Sequence, residues 1–195
     1  GASITADATA DFEADAVSDA GDATATTDLN ARNGAEGYNL SWRDIKGLEA
    51  LQDVDVEGAA LLDGSATVGL DADADSTSGS ATASATSPRF AQGLGYMEEI
   101  SVSGAATLDG DVNATLTANA NSTGDEDSDL ADADAQFDGG IGIDDKSGSS
   151  GLNVGGNLDA DGDVSAGVTA VAGIETGDAN ADADQTGQVV GLNLD

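Results

Sequence analysis

The chain has 195 residues, of which 38 are Asp or Glu and five are Lys or Arg, and it contains neither His nor Cys, so its net charge is −33. Like-charge repulsion on that scale excludes nucleic acid and anionic membranes as direct partners. Without imidazole or thiol there is no usual general base, no thiol nucleophile, no Ser-His-Asp triad and no common transition-metal ligand, so the inventory is not that of an enzyme.

Residues 1–40 alternate from Ile4 through Ala6, Ala8, Ala10 and Phe12, with polar residues between them. They read as an incomplete first repeat, because the limb that precedes an Asp-Gly step in the later repeats has no counterpart before Ile4. Two readings follow. The terminal repeat is an atypical cap, or another copy of the chain supplies the missing strand, or receives the N-terminal one, by strand addition.

Residues 41–52 break the alternation. Trp42, Ile45, Leu48 and Leu51 recur every third position, with Ser41 as an N-cap candidate, and predict a short helix near 42–51. The second repeat, 53–95, restores period two from Val54 to Ala74 across Asp63-Gly64. The connector 86–99 holds the only proline, Pro88. The third repeat, 100–143, has the longest run. Apolar residues and glycines occupy each even position from Val102 to Ala120, and Asp109-Gly110 lies in its middle. The connector 144–151 is polar and glycine-rich, and the fourth repeat, 152–195, carries Asp161-Gly162.

The three Asp-Gly steps are 46 and 52 residues apart, a spacing that marks an array of supersecondary units. Period two places successive side chains on opposite faces of a sheet, and disordered acidic tails do not hold parity for twenty residues. The expected fold is therefore all-β: an antiparallel β-sandwich, or a barrel or solenoid, made from about four tandem repeats and roughly eleven strands. Each Asp-Gly step is expected to form a three-residue loop, pairing Leu108 with Val112, or to bend a continuous strand. The inward face is mostly Ala and Gly, and small side chains each bury little area at roughly 25 cal/mol per Å². The core should be thin, the sheets closely spaced, and the fold helped by assembly or bound ions.

Calcium is the one ion that this side-chain set suits, since it takes many hard oxygen ligands. Asp71, Asp73 and Asp75, then Asp125, Asp127 and Asp129, then Asp159, Asp161 and Asp163 place carboxylates at alternate positions. None completes an EF-hand loop, and a solvated acidic strand face is the competing reading. Asn39, Asn113 and Asn121 open Asn-x-Ser/Thr sequons, acceptors for a glycan in a secreted protein. All five basic residues lie in or beside the connectors, and Arg43 with Trp42 is the pair best suited to an interface.

No twenty-residue apolar run is present. The Gly-Ala-Ser start fits a mature end left by signal-peptide cleavage, and the near-absence of Lys with the choice of Asp over Glu fits a saline habitat. The expectation is a secreted structural subunit that assembles with copies of itself into an extracellular filament, sheath or surface matrix. Its N-terminal segment, with Ile4, Ala6, Ala8, Ala10 and Phe12, is expected to act as the added strand. A calcium-stabilised cell-surface adhesin is the alternative, and ice binding through the hydroxyls of Thr24, Thr26, Thr82, Ser84 and Thr86 is a third.

Overall fold

A computed structural model of the chain describes residues 1–28, 45–87, 91–124, 129–137, 141–144, 152–186 and 189–193. These residues form seventeen strands: β1 (Ala2–Ser18), β2 (Ala23–Asp28), β3 (Ile45–Gln52), β4 (Asp55–Val56), β5 (Ala60–Ser76), β6 (Ala81–Ser87), β7 (Ala91–Glu98), β8 (Ile100–Val102), β9 (Ala106–Asp109), β10 (Val112–Ser122), β11 (Leu130–Phe137), β12 (Ile141–Asp144), β13 (Leu152–Val154), β14 (Leu158–Asp161), β15 (Val164–Ile174), β16 (Asp178–Gln185) and β17 (Val189–Asn193).

Every ladder is parallel. In the first sheet β1, β5, β10 and β15 lie side by side, and β9 and β14 extend the β10 and β15 rows on the far side of the Asp-Gly steps. A second sheet runs β2, β6, β11, β16, a third β3, β7, β12, β17, and a small fourth β4, β8, β13. The chain visits the sheets in a fixed rotation, so each circuit adds one row to each of the first three sheets, and the fourth holds three rows among the described residues. Parallel neighbours need a long crossover between them, and here the strands of the other sheets make that crossover.

This arrangement corrects the expected antiparallel sandwich: the sheets are all parallel and curl into a half-barrel. Period two is common to parallel and antiparallel strands, so alternation alone does not choose between them. The repeat spacing decides it, because a parallel partner one circuit on has the same residue type facing the same way. Leu70 pairs with Leu116, Ala72 with Ala118 and Ala74 with Ala120. A slip of one residue would turn every apolar side chain outward.

Further expectations meet the structure as follows. Of the two forms expected at the Asp-Gly steps the continuous strand is found and the three-residue loop is not: Asp63-Gly64 lies inside continuous β5, and the other two separate collinear strands that keep the same neighbours. The helix near 42–51 is a strand over its described part, β3, with Leu48 beside Leu94. Its threefold apolar spacing loses to the ladder offered by β7, since tertiary pairing overrides local preference. The first repeat has only the end of its leading limb: β1 pairs along all of β5 from Ala2 and sets Thr5 opposite Asp63 and Ala6 opposite Gly64, whereas the fourth sheet, among the described residues, has no strand from the first circuit. Strands β3 and β7 occupy stretches that read as connectors.

The first sheet packs against both the second and the third. Ala66, Val68, Leu70, Ala72 and Ala74 of β5, with their partners on β10, meet Ala81, Ala83 and Ala85 of β6 and Ala131, Ala133, Ala135 and Phe137 of β11. A smaller core gathers Leu62, Leu108, Leu94, Ile100 and Val102 at the start of the first sheet. Alanine rows allow the sheets to lie close, as the composition requires. Buried serines close the corner between the first two sheets: Ser76 Oγ donates to the Gly21 carbonyl and Ser122 Oγ to that of Gly79, at 2.8 and 2.7 Å. No helix among the described residues is long and apolar enough to cross a membrane.

Candidate functional site

Parallel stacking turns each outward position into a column that crosses the circuits about 4.8 Å per step. The columns of the first sheet sort the acidic residues into two kinds. In the first kind an acid meets a donor. Ser65 Oγ donates to Asp7 Oδ1 at 2.7 Å, Asn119 Nδ2 to Asp73 Oδ1 at 2.6 Å and Asn121 Nδ2 to Asp75 Oδ1 at 3.1 Å. On the second sheet Asn180 Nδ2 donates to Asp132 Oδ1 at 2.9 Å. These pairs offset the repulsion that stacked carboxylates would suffer.

In the second kind, acid stacks on acid. Asp63, Asp109 and Asp161 form one column, and Asp111 and Asp163 stand beside it two positions along. Partial burial, then the Asp111 and Asp63 charges, raise the Asp109 carboxyl above its usual range. Asp71 is raised by burial and by Asp73, Asp15 and Asp11, against a lowering hydrogen bond from the Ala72 backbone N–H, and its Oδ1 is buried without a partner. Asp134 is raised by burial and by Asp182, Asp132 and Asp184. Each ionises against its neighbours.

The calcium candidates fall across these columns. Asp71, Asp73 and Asp75 line the outward side of β5, two of them held by asparagine; Asp159, Asp161 and Asp163 are exposed on the last circuit. Asp129 is buried before β11, while Asp125 and Asp127 lie outside the described residues. Among the described residues no three carboxylates converge on a point that could hold a metal ion. Extended strands carry alternate carboxylates along a line, whereas a calcium shell needs them folded around one centre.

Asn113 and Asn121 are exposed on the outer face of β10, and Asn113 Oδ1 accepts from Ser165 Oγ at 2.8 Å. Asn39, Trp42 and Arg43 lie outside the described residues. The interface candidates Ile4, Ala6, Ala8, Ala10 and Phe12 all sit on β1, beside Leu62, Gly64, Ala66, Val68 and Leu70 of the same chain. The first four are partly buried and Phe12 is 50% exposed.

That gradient points to the two ends of the stack. The interior partners of Phe12, Leu70 and Leu116, are buried, and Val168 continues the same column on the fourth circuit with partial burial. Among the described residues, β1 pairs only with β5 and β15 only with β10. Among the described residues, four of the five exposed large apolar ones stand on the end circuits: Phe12 and Val17 on the first, Leu158 and Val171 on the fourth. Val17 and Val171 face outward, in columns where the interior circuits carry Asp or Asn.

Sequence reading missed the stacked Asp63 and Asp109, the asparagine donors and one glycine column. Gly58, Gly104 and Gly156 recur with the spacing of the Asp-Gly steps and turn the chain into the first sheet. Gly104 N–H donates to the Gly58 carbonyl and Gly156 N–H to that of Gly104, both at 2.9 Å. A Cβ on Gly104 would lie 2.6 Å from the Gly58 carbonyl. The recurring spacing was the signal available for it. No protein family, no curated protein and no solved structure matches this chain, so the reading of its two open ends rests on its own geometry.

Proposed function

We propose that the chain is a structural subunit of an extracellular filament or matrix, built by stacking copies end to end through the edges of the first sheet. The observation that carries this reading is the Phe12 column, which reaches both ends of the stack with an apolar residue. An uncovered edge strand is a template for another chain unless it is blunted, and coiled repeat arrays stay apart when polar terminal repeats cap them. Strand β1 offers a 17-residue edge with no proline, no lysine and no inward-pointing charge. Its outward Asp7, Asp11, Glu13 and Asp15 are what hold copies apart at low salt.

The N-terminal segment is paired within its own chain, so assembly by edge addition requires no exchange of that segment. A chain of net charge −33 assembles only where its charge is screened. The Debye length falls from about 10 Å at 0.1 M to about 3 Å at 1 M salt, which suits the reading to a saline setting outside the cell. Sedimentation and electron microscopy of purified protein, from low to molar NaCl and with millimolar CaCl₂, test it. The expected result is monomer at low salt and filaments one chain wide at high salt. A monomer under every condition would overturn it, and a calcium-dependent rise in thermal stability without assembly would favour an adhesin instead.

A further inference from the structure

Resting on that reading, we propose that the first circuit of one copy seats on the fourth circuit of another in the register of the internal columns. Strand β1 of one chain adds to β15 of the next, with Ser165 opposite Thr9 and Val168 over Phe12. The partner is a second copy because the end surfaces continue a contact that the molecule already makes three times. Column by column, Thr9 stacks on Thr67, Asn113 and Ser165, and Phe12 on Leu70, Leu116 and Val168.

Carrying the columns across the junction sets Val164 on Ala8, Ala166 on Ala10, Ala170 on Ala14 and Ala172 on Ala16. The contact repeats the eleven-residue ladder between β10 and β15; its inward residues are apolar in the columns named, and its last inward column sets Ile174 on Ser18. The two outward valines gain a purpose. Val171, 49% exposed, comes opposite Asp15, and Val17, 76% exposed, comes opposite Gly173. They are diagonal neighbours across the junction, their Cα atoms about 8 Å apart. A slip by one residue would put Asp163 and Ser165 against the alanine row. A slip by two would keep parity but set Val168 on Ala10 or Ala14 and leave Phe12 without its large partner. The contact joins two different surfaces, so it does not close on itself and produces fibres.

Thr9 and Ser165 are exposed, and the chain has no cysteine to confuse a cross-link. In one molecule they are three circuits apart, roughly 14 Å, too far for a disulfide. In the proposed junction their Cα atoms come about 4.8 Å apart, inside the usual range for one. The test is oxidation at high salt of the double variant Thr9→Cys, Ser165→Cys, compared with Thr9→Cys, Val171→Cys and with Thr9→Cys alone. Sedimentation and microscopy are run on the same samples.

The expected result is a ladder of covalent multimers from the first variant, about tenfold more than from the second, whose residues lie about 20 Å apart in this register. Filaments without that cross-link would overturn the register and leave the structural-subunit reading standing. Equal cross-linking in both double variants would do the same. Covalent dimers from Thr9→Cys alone would replace head-to-tail stacking with a symmetric contact between two first circuits. Absence of any oligomer would overturn both proposals.

Discussion

At the residue scale, glycine and aspartate set the constraints. Gly104 sits where one circuit's backbone rests on the next, and its own neighbours are also glycines. Gly104→Ala forces a methyl into the Gly58 carbonyl, an overpacking that costs about 1–3 kcal/mol. The expected outcome is a lower melting temperature by circular dichroism with the strand spectrum intact at low temperature. A variant as stable as the parent would show that the circuits are not in that contact.

The stacked carboxylates make the opposite prediction. Asp71, Asp109 and Asp134 all have carboxyls raised above the usual value in the folded chain. A group whose folded pKa exceeds its unfolded one holds its proton more tightly when folded. Its contribution is fully present below the unfolded value, near 3.8, and is lost as the pH rises through the folded value. The contribution of these groups to thermal stability at low salt is therefore greatest below about pH 3.8 and falls as the pH rises from there, and added salt should recover part of the loss. Asp109→Asn removes the middle charge of the Asp63 and Asp161 column. It should raise the melting temperature at pH 7 and flatten the pH profile, and a lower melting temperature would contradict the assignment of repulsion there.

At the element scale, the sequence shows its strands better than their partners. Val102 to Ala120 keep their parity, and the structure buries the even positions of β10 and leaves the odd ones outward. The repeat spacing was equally visible, since Asp63, Asp109 and Asp161 align in one column. Direction was not. An Asp-Gly step between apolar residues is a hairpin signal in isolation, and nothing local reports that Asp63 will meet Asp109 on a neighbouring strand instead. The misread of β3 has the same origin. Ile45, Leu48 and Leu51 have helical spacing among themselves, while what fixes them is β7, 46 residues later. For the alternate Asp residues, number was legible in the sequence and arrangement was not. A strand spreads Asp71, Asp73 and Asp75 along its length, and Asn119 and Asn121 from the next circuit already bind two of them.

At the scale of the whole molecule, each circuit buries its apolar row against another circuit, and the first and fourth have only one such neighbour among the described residues. An interior of alanine stabilises each row weakly, so further rows add what side-chain bulk does not. On the proposed reading the acidic outer face opposes that addition until counter-ions screen it, which would place association under the control of salt. In the proposed assembly, stability and association share one geometry, in which strands run across the stacking direction and rows accumulate along it.

The most direct measurement is fibre diffraction, or an electron cryomicroscopy power spectrum, from protein assembled at high salt. The account predicts an axial repeat of about 4.8 Å, the spacing of neighbouring strands, running along the filament through every junction. Filaments whose strands lie parallel to the axis, with that spacing on the equator, would contradict it.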